Sequence, residues 1–307
     1  MNKKPSYISH AIMGEQLYNE SIKENLFSRI AINKDEMKGY SLWPDPSYLS
    51  PIIKKDPQNY HTREFFENII RYIKENNLIE NEHALALLYG HIAHYFLDIN
   101  THPLIYYVEQ GCQKVGSISN HNLVEGYINS YLVNKKLGKN IMEIKPEYFN
   151  QIDFKSKETS KLLNTIYGKM YGDTRIIKTY QIVINLFSML ENILKSGMIT
   201  YENIVQISSF KMFLERNNLT IEEITNEYND TYTNPVTGEK HNESFIELYD
   251  KSIEMSLDAI EKVNTCLYQD IPIDTLDSIF TDLSYDTGVD CSLGKKMSFV
   301  RKRQLKR

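Results

Sequence analysis

Apolar residues recur at three- and four-residue intervals along most of this chain, the spacing of helices that each bury one face. The pattern predicts helices over residues 8–29, with Ile12, Leu17, Ile22 and Leu26 inward, and over 62–75, where Phe65, Phe66, Ile69, Ile70 and Ile73 form one face. A third begins near Glu82 and runs through 84–107, and a fourth starts at Asn120 as N-cap and reaches about Lys136. Residues 161–171, 175–195, 200–216 and 244–267 continue the pattern, and Thr220-Ile-Glu-Glu reads as a capping box opening a short helix. Residues 39–60, 111–119 and 229–242 read as loops. In the first of these, four prolines within fourteen residues forbid a continuous helix and hold Asp45 stiffly between Pro44 and Pro46. The expected fold is therefore all-α, one multi-helix domain over 1–268 without substantial sheet. The remainder, 269–307, is expected to be a solvated tail, because six aspartates in 270–290 are followed by seven basic residues in 295–307.

One stretch breaks the apolar pattern in an informative way. Gly90-His-Ile-Ala-His-Tyr-Phe-Leu-Asp-Ile-Asn-Thr-His-Pro103 sets three histidines and an aspartate in a strongly apolar helix. His94, Asp98 and His102 recur every four residues and so share one stripe, with His91 a turn earlier. A divalent cation would satisfy imidazole and carboxylate groups that are otherwise costly to bury. Taken singly, each histidine reads equally well as a core residue bonded to a neighbour. Pro103 is expected to bend or break the helix and so to leave the direction of His102 open.

Composition narrows the choices. In 307 residues, 41% apolar content supplies a sizeable core, and a net charge of −5 provides no general attraction for nucleic acid. The three cysteines, at 112, 266 and 291, lack metal-knuckle spacing, so the metal shell must come from His and carboxylate. No signal peptide and no apolar run of membrane-spanning length can be read, and a cytoplasmic location is expected.

Ser9-His10, the Pro44-Asp45 pair, His61, His94-Tyr-Phe-Leu-Asp98 followed by His102-Pro103, and His121-x-x-x-Glu125 form a spaced set within the first 130 residues. As a set it resembles the zinc-dependent phospholipase C family, whose all-helical fold is shared with zinc nucleases of single strands. The resemblance implies one zinc held by Asp45, His61, His94 and Asp98, and a second by His102, His121 and Glu125. A third would be served by His10, with Asp98 shared. Secreted members complete that third site with a processed N-terminal tryptophan, whereas this sequence begins with Met1. The separation of Asp98 from His102 is also shorter than in secreted members and matches an intracellular branch. Glu125, where the nucleases tend to carry Asp, favours the phospholipase side.

The implied reaction is hydrolysis of a phosphodiester, with Asp45 as acceptor of the proton of the attacking water. Phospholipid is the favoured substrate, with nucleic acid or a nucleotide as the alternative and a non-catalytic metal-binding protein as the rival class. A lipid substrate calls for an apolar rim at the site, for which Tyr40, Trp43 and Tyr48 are the candidates. An HD-type phosphohydrolase lacks its His-Asp dipeptide here, and a di-iron bundle lacks its second Glu-x-x-His, since Glu80-x-x-His83 stands alone. His83 and His91 are expected outside the ligand shell, with His91 packed on Tyr95.

Overall fold

The computed structural model describes residues 7–45, 61–116, 118–144, 156–172 and 207–299, with scattered helical positions between 178 and 192. Within these the protein is all-α. The helices are α1 (Tyr7–Lys23), α2 (Lys34–Tyr40), α3 (Thr62–Glu75), α4 (Glu82–Gln110), α5 (Asn120–Leu137), α6 (Lys157–Tyr171), α7 (Ile207–Asn217), α8 (Ile221–Ile224) and α9 (Phe245–Tyr268). The only sheet among the described residues is a two-stranded antiparallel pair, β1 (Tyr232–Thr233) and β2 (Lys240–His241). No described helix is long and apolar enough to cross a membrane.

α4 is the axis on which the others pack: α1, α2, α5 and α9 all lie against it. Its sequence explains this position. Apart from its ends it is apolar all round, and from Ala84 to Ile99 every residue is buried, which only a central helix can be. Asn81 caps its start by accepting a bond from the Ala84 amide at 2.9 Å. Pro103 does not break it: the helix runs past the expected end at 107 to Gln110. Proline removes one amide donor and crowds the carbonyl four residues back, here Ile99, at about 3 kcal/mol. Packing on all sides of α4 offsets that cost.

Two glycines set the closest helix contacts. At Gly90 a Cβ would lie 2.6 Å from both the Met37 carbonyl and Tyr40 Cβ, and at Gly14 one would lie 2.7 Å from Ser41 Oγ. α2, which falls at the edge of the expected proline-rich loop, is thereby pressed onto α4 and α1. Ser41, just past its end, donates to the His10 carbonyl at 2.8 Å. Ile22, expected inward, is exposed, because α1 ends at Lys23 and Asn25 turns the chain with a φ of 61°.

The segment after α9 differs most from expectation. Far from being solvated throughout, it returns along α3 and α4 with Leu276, Phe280 and Tyr285 buried, and Phe280 stacks on Phe66 at 4.3 Å. Three of the six aspartates that suggest a solvated tail are engaged, Asp282 accepting from Thr62, Asp286 buried against Lys295 and Asp290 accepting from the Ser292 amide, whereas Asp270, Asp274 and Asp277 are exposed. Residues 301–307, the end of the basic run, lie outside the described residues, as do 46–60 and most of 175–195.

Gly90→Ala should cost about 1–3 kcal/mol of unfolding free energy in urea titration, since overpacking at the α2 contact outweighs the better helix propensity of alanine. An unchanged midpoint would show that α2 can move off α4 at no cost.

Candidate metal centre

Two groups of ligand-type side chains converge on α4 and its neighbours. His10 from α1, Asp45 after α2, and His94 and Asp98 from α4 form the first; His102 from α4 and His121 and Glu125 from α5 form the second. Within each group, one ligand atom per residue lies within 4.8 Å of all the others. The four-residue spacing does on each helix what the sequence indicates: His94 Nε2 is 2.9 Å from Asp98 Oδ2, and His121 Nε2 is 3.1 Å from Glu125 Oε1. The remaining contacts cross between helices. His10 Nε2 is 3.3 Å from Asp98 Oδ1, His94 Nε2 is 3.6 Å from Asp45 Oδ1, and His102 Nε2 is 3.7 Å from Glu125 Oε1.

The outer edges of three imidazoles are fixed. His94 Nδ1 donates to the Ser41 carbonyl at 2.7 Å, His102 Nδ1 to the Tyr285 carbonyl at 2.5 Å, and His121 Nδ1 meets Glu109 Oε2 at 2.9 Å. A carbonyl can only accept, so His94 and His102 carry their proton on Nδ1 and present a bare Nε2 inward when neutral, the arrangement of metal-ligating histidines. Tyr106 backs the second group, its ring 4.9 Å from that of His121 and 5.7 Å from that of His102.

Three buried atoms at the first group want a partner. His10 Nδ1, on a ring whose Nε2 faces Asp98, and Asp45 Oδ2 have no hydrogen-bond partner, and the bare Nε2 of neutral His94 faces Asp98 Oδ2 with no proton between them. Buried polar atoms are normally paired, and these three lie in or beside the first group. Their nitrogen and oxygen character suits zinc, and the second group offers three protein ligands, the number at which a catalytic zinc keeps a position open. The residues present therefore fit the cation.

Without metal, the charges in this dry space are lopsided. Burial, aided by the neighbouring His94, lowers His10 to about 4, while burial raises Asp45 to about 8. Burial works against charge on His94 as well, but Asp98 and Asp45 lift it to about 9; His121 reaches about 9 through Glu125 and Glu109 against the same penalty. Glu125, despite burial, is held down at about 2 by His121 and His102. Asp98 is pulled well below the usual carboxylate range by His94, His102 and His10, which overcome its own burial. The rings of His10 and His94 stack at 3.9 Å and 8°, so only one of them carries charge readily.

A family model described as zinc dependent phospholipase C matches residues 9–179. The chain belongs to the zinc-dependent phospholipase C family. No curated protein and no solved structure matches it. Both ligand groups fall inside the family segment, whereas Tyr285 lies outside it.

Of the eight ligands the resemblance implies, seven are gathered in the two groups. His10 joins the first, next to Asp98. His61 joins neither: it opens α3 with a left-handed φ of 55°, its ring is 64% exposed, and it faces Glu64 at 3.9 Å. Tyr40 and Trp43, expected at a rim, are fully buried in the α2 contact, and Tyr48 lies outside the described residues. His83 pairs with Glu36 at 2.8 Å, and His91 packs on Phe65 and Phe66 rather than on Tyr95. Glu109 is absent from the ligand motifs, although it stands seven residues after His102 on the same helix, and that spacing is its one sequence signal. The Ser41 and Tyr285 carbonyls have no sequence signature at all.

Zinc binding should displace protons from the metal-free ligands, because neighbouring carboxylates raise His94 and His121 and burial raises Asp45. Calorimetry in buffers of different ionisation enthalpy should show more than one proton released per chain, and affinity should climb from about pH 6 to 9. Affinity flat across that range would contradict these charge states. His94→Ala should reduce zinc content in elemental analysis, whereas His83→Ala should not.

Proposed function

We propose that the protein is a zinc-dependent phosphodiester hydrolase of phospholipase C type, using two adjacent metal sites on one helix. The observation that carries this is the position of Asp98. Its carboxylate lies 2.9 Å from His94 Nε2 and 3.3 Å from His10 Nε2 in one group, and it stands one turn of α4 before His102 of the other. The two ligand sets are thus neighbours along α4, a placement that would let two ions act on one phosphodiester.

When bound, zinc supplies Lewis acidity to phosphoryl oxygen and acidifies water toward a pKa of about 7. The protein supplies the rest. His94 and His102 are held in the tautomer that leaves Nε2 free, and α4 fixes their separation. Asp45 presents a buried Oδ2 without a hydrogen-bond partner beside the first group, placed to accept the proton of the attacking water. Tyr106, buried against His102 and His121, helps to keep bulk water from the second group. The positive sites would also offer an anionic substrate a local attraction that a net charge of −5 does not.

Phospholipid is the favoured substrate, on the family membership and on Glu125 at the position where the related nucleases tend to carry Asp. The direct test compares zinc-dependent release of phosphocholine from short-chain phosphatidylcholine with cleavage of single-stranded DNA, RNA and cyclic dinucleotides. Lipid turnover lost on chelation and restored by zinc is expected; nucleic-acid cleavage without lipid turnover would replace the substrate, and inactivity on all would leave a binding protein. Asp45→Asn, which keeps an oxygen able to ligate, should retain zinc while losing about 10²- to 10⁴-fold in turnover. Zinc lost in step with activity would make Asp45 a ligand alone.

A further inference from the structure

The C-terminal segment reaches the second group of ligands from outside the family segment. Residues 283–290 form a tight hairpin: Leu283 and Asp290 bridge in antiparallel fashion, and Ser284 exchanges backbone bonds with Val289 and Gly288 at 2.8 Å. At its tip Tyr285 is fully buried, its ring 5.7 Å from that of His94 and its carbonyl accepting the His102 Nδ1 proton at 2.5 Å. The hairpin is tied down from several sides. Tyr95 donates to the Thr281 carbonyl at 2.8 Å, Asn234 to the Thr287 carbonyl at 3.3 Å, and the buried Asp286 pairs with Lys295.

The contact with α4 falls at the proline. Pro103 has no amide to give the Ile99 carbonyl, and Gly288 settles over that place so closely that a Cβ would lie 2.2 Å from the Ile99 oxygen and 2.9 Å from Pro103 Cγ. Its φ of +65° also disfavours any side chain. The turn of α4 that carries His102 is therefore the turn the hairpin grips, and the same grip delivers the carbonyl that sets the His102 tautomer.

We propose that the hairpin 283–290 is a positioning element of the second metal site, with the Tyr285 carbonyl holding His102 ready to ligate, so that the C-terminal segment sets that site's affinity for a divalent ion. It rests on the reading of the two groups as zinc sites. Neutral imidazole can carry its proton on either nitrogen, and outer partners of this kind govern metal affinity by roughly 10- to 100-fold. The first site takes its outer bond from Ser41, so the tautomer of His94 does not depend on the hairpin.

The test is a chelator-competition titration with zinc, on wild type, Gly288→Ala, Tyr285→Phe and His121→Ala, with helical circular dichroism as the check of folding. Wild type should bind in two steps, of which His121→Ala removes one. Gly288→Ala should weaken that same step by about 10- to 100-fold and leave the other unchanged. Tyr285→Phe, which keeps the carbonyl, should alter neither. A purely structural role would weaken both steps together, and that result, or an unweakened second step in folded Gly288→Ala, overturns the proposal. Should Gly288→Ala fail to fold, Lys295→Met, which leaves Asp286 buried without that partner, should loosen the hairpin and weaken the same step. Wild type that takes no zinc would sink the metal reading and this proposal together. Two zinc ions bound equally well by wild type and folded Gly288→Ala would sink this proposal alone.

Discussion

Everything around the site follows from one constraint: a helix that is apolar on every side carries four polar ligand-type groups where water cannot reach them. His91, His94, Asp98 and His102 are all buried. Leaving such groups unsatisfied is costly, and three of the four are provided for. The imidazoles of His94 and His102 are bonded on their outer edge and left open on the inner one, and the inner atoms face acidic partners. His91, with both nitrogens unpartnered, is the exception; burial keeps it neutral among aromatic rings.

The same constraint dictates the architecture. Ligands must reach α4 from several directions, so α1, α2 and α5 have to approach closely. Gly14 and Gly90 remove the Cβ atoms that would prevent it. The short α2 delivers Asp45 and the Ser41 carbonyl, α1 delivers His10, and α5 delivers His121 with Glu125. Stability and ligand geometry are therefore properties of the same contacts.

The charge states express the conflict between burial and attraction. Where opposite charges are close, attraction wins, as for Glu125 and His121; where the stacked neighbour is another imidazole, burial wins, as for His10. A cation placed among these groups would relieve both, supplying the positive charge that the carboxylates seek and allowing the imidazoles to be neutral.

Helices and ligand types are written locally in the amino-acid sequence. Three- and four-residue periodicity depends on near neighbours alone, so it locates α3, α4 and α9, and the Thr220 capping box marks the start of α8. Spacing of four along α4 and α5 makes the His94/Asp98 and His121/Glu125 pairs legible from the sequence alone. Three things belong to the packed molecule. Whether Pro103 ends α4 depends on packing from other helices, which no local rule carries. Whether Tyr40 and Trp43 face a substrate or the core depends on a glycine on another helix, Gly90. The outer partners of His94 and His102 are backbone carbonyls, which every residue possesses, so nothing in the letters at 41 or 285 can mark them. The aspartates of 270–290 mislead for a related reason: charge counts as solvated only until a fold supplies Thr62 or Lys295 to meet it, and that meeting spans up to 220 residues of chain.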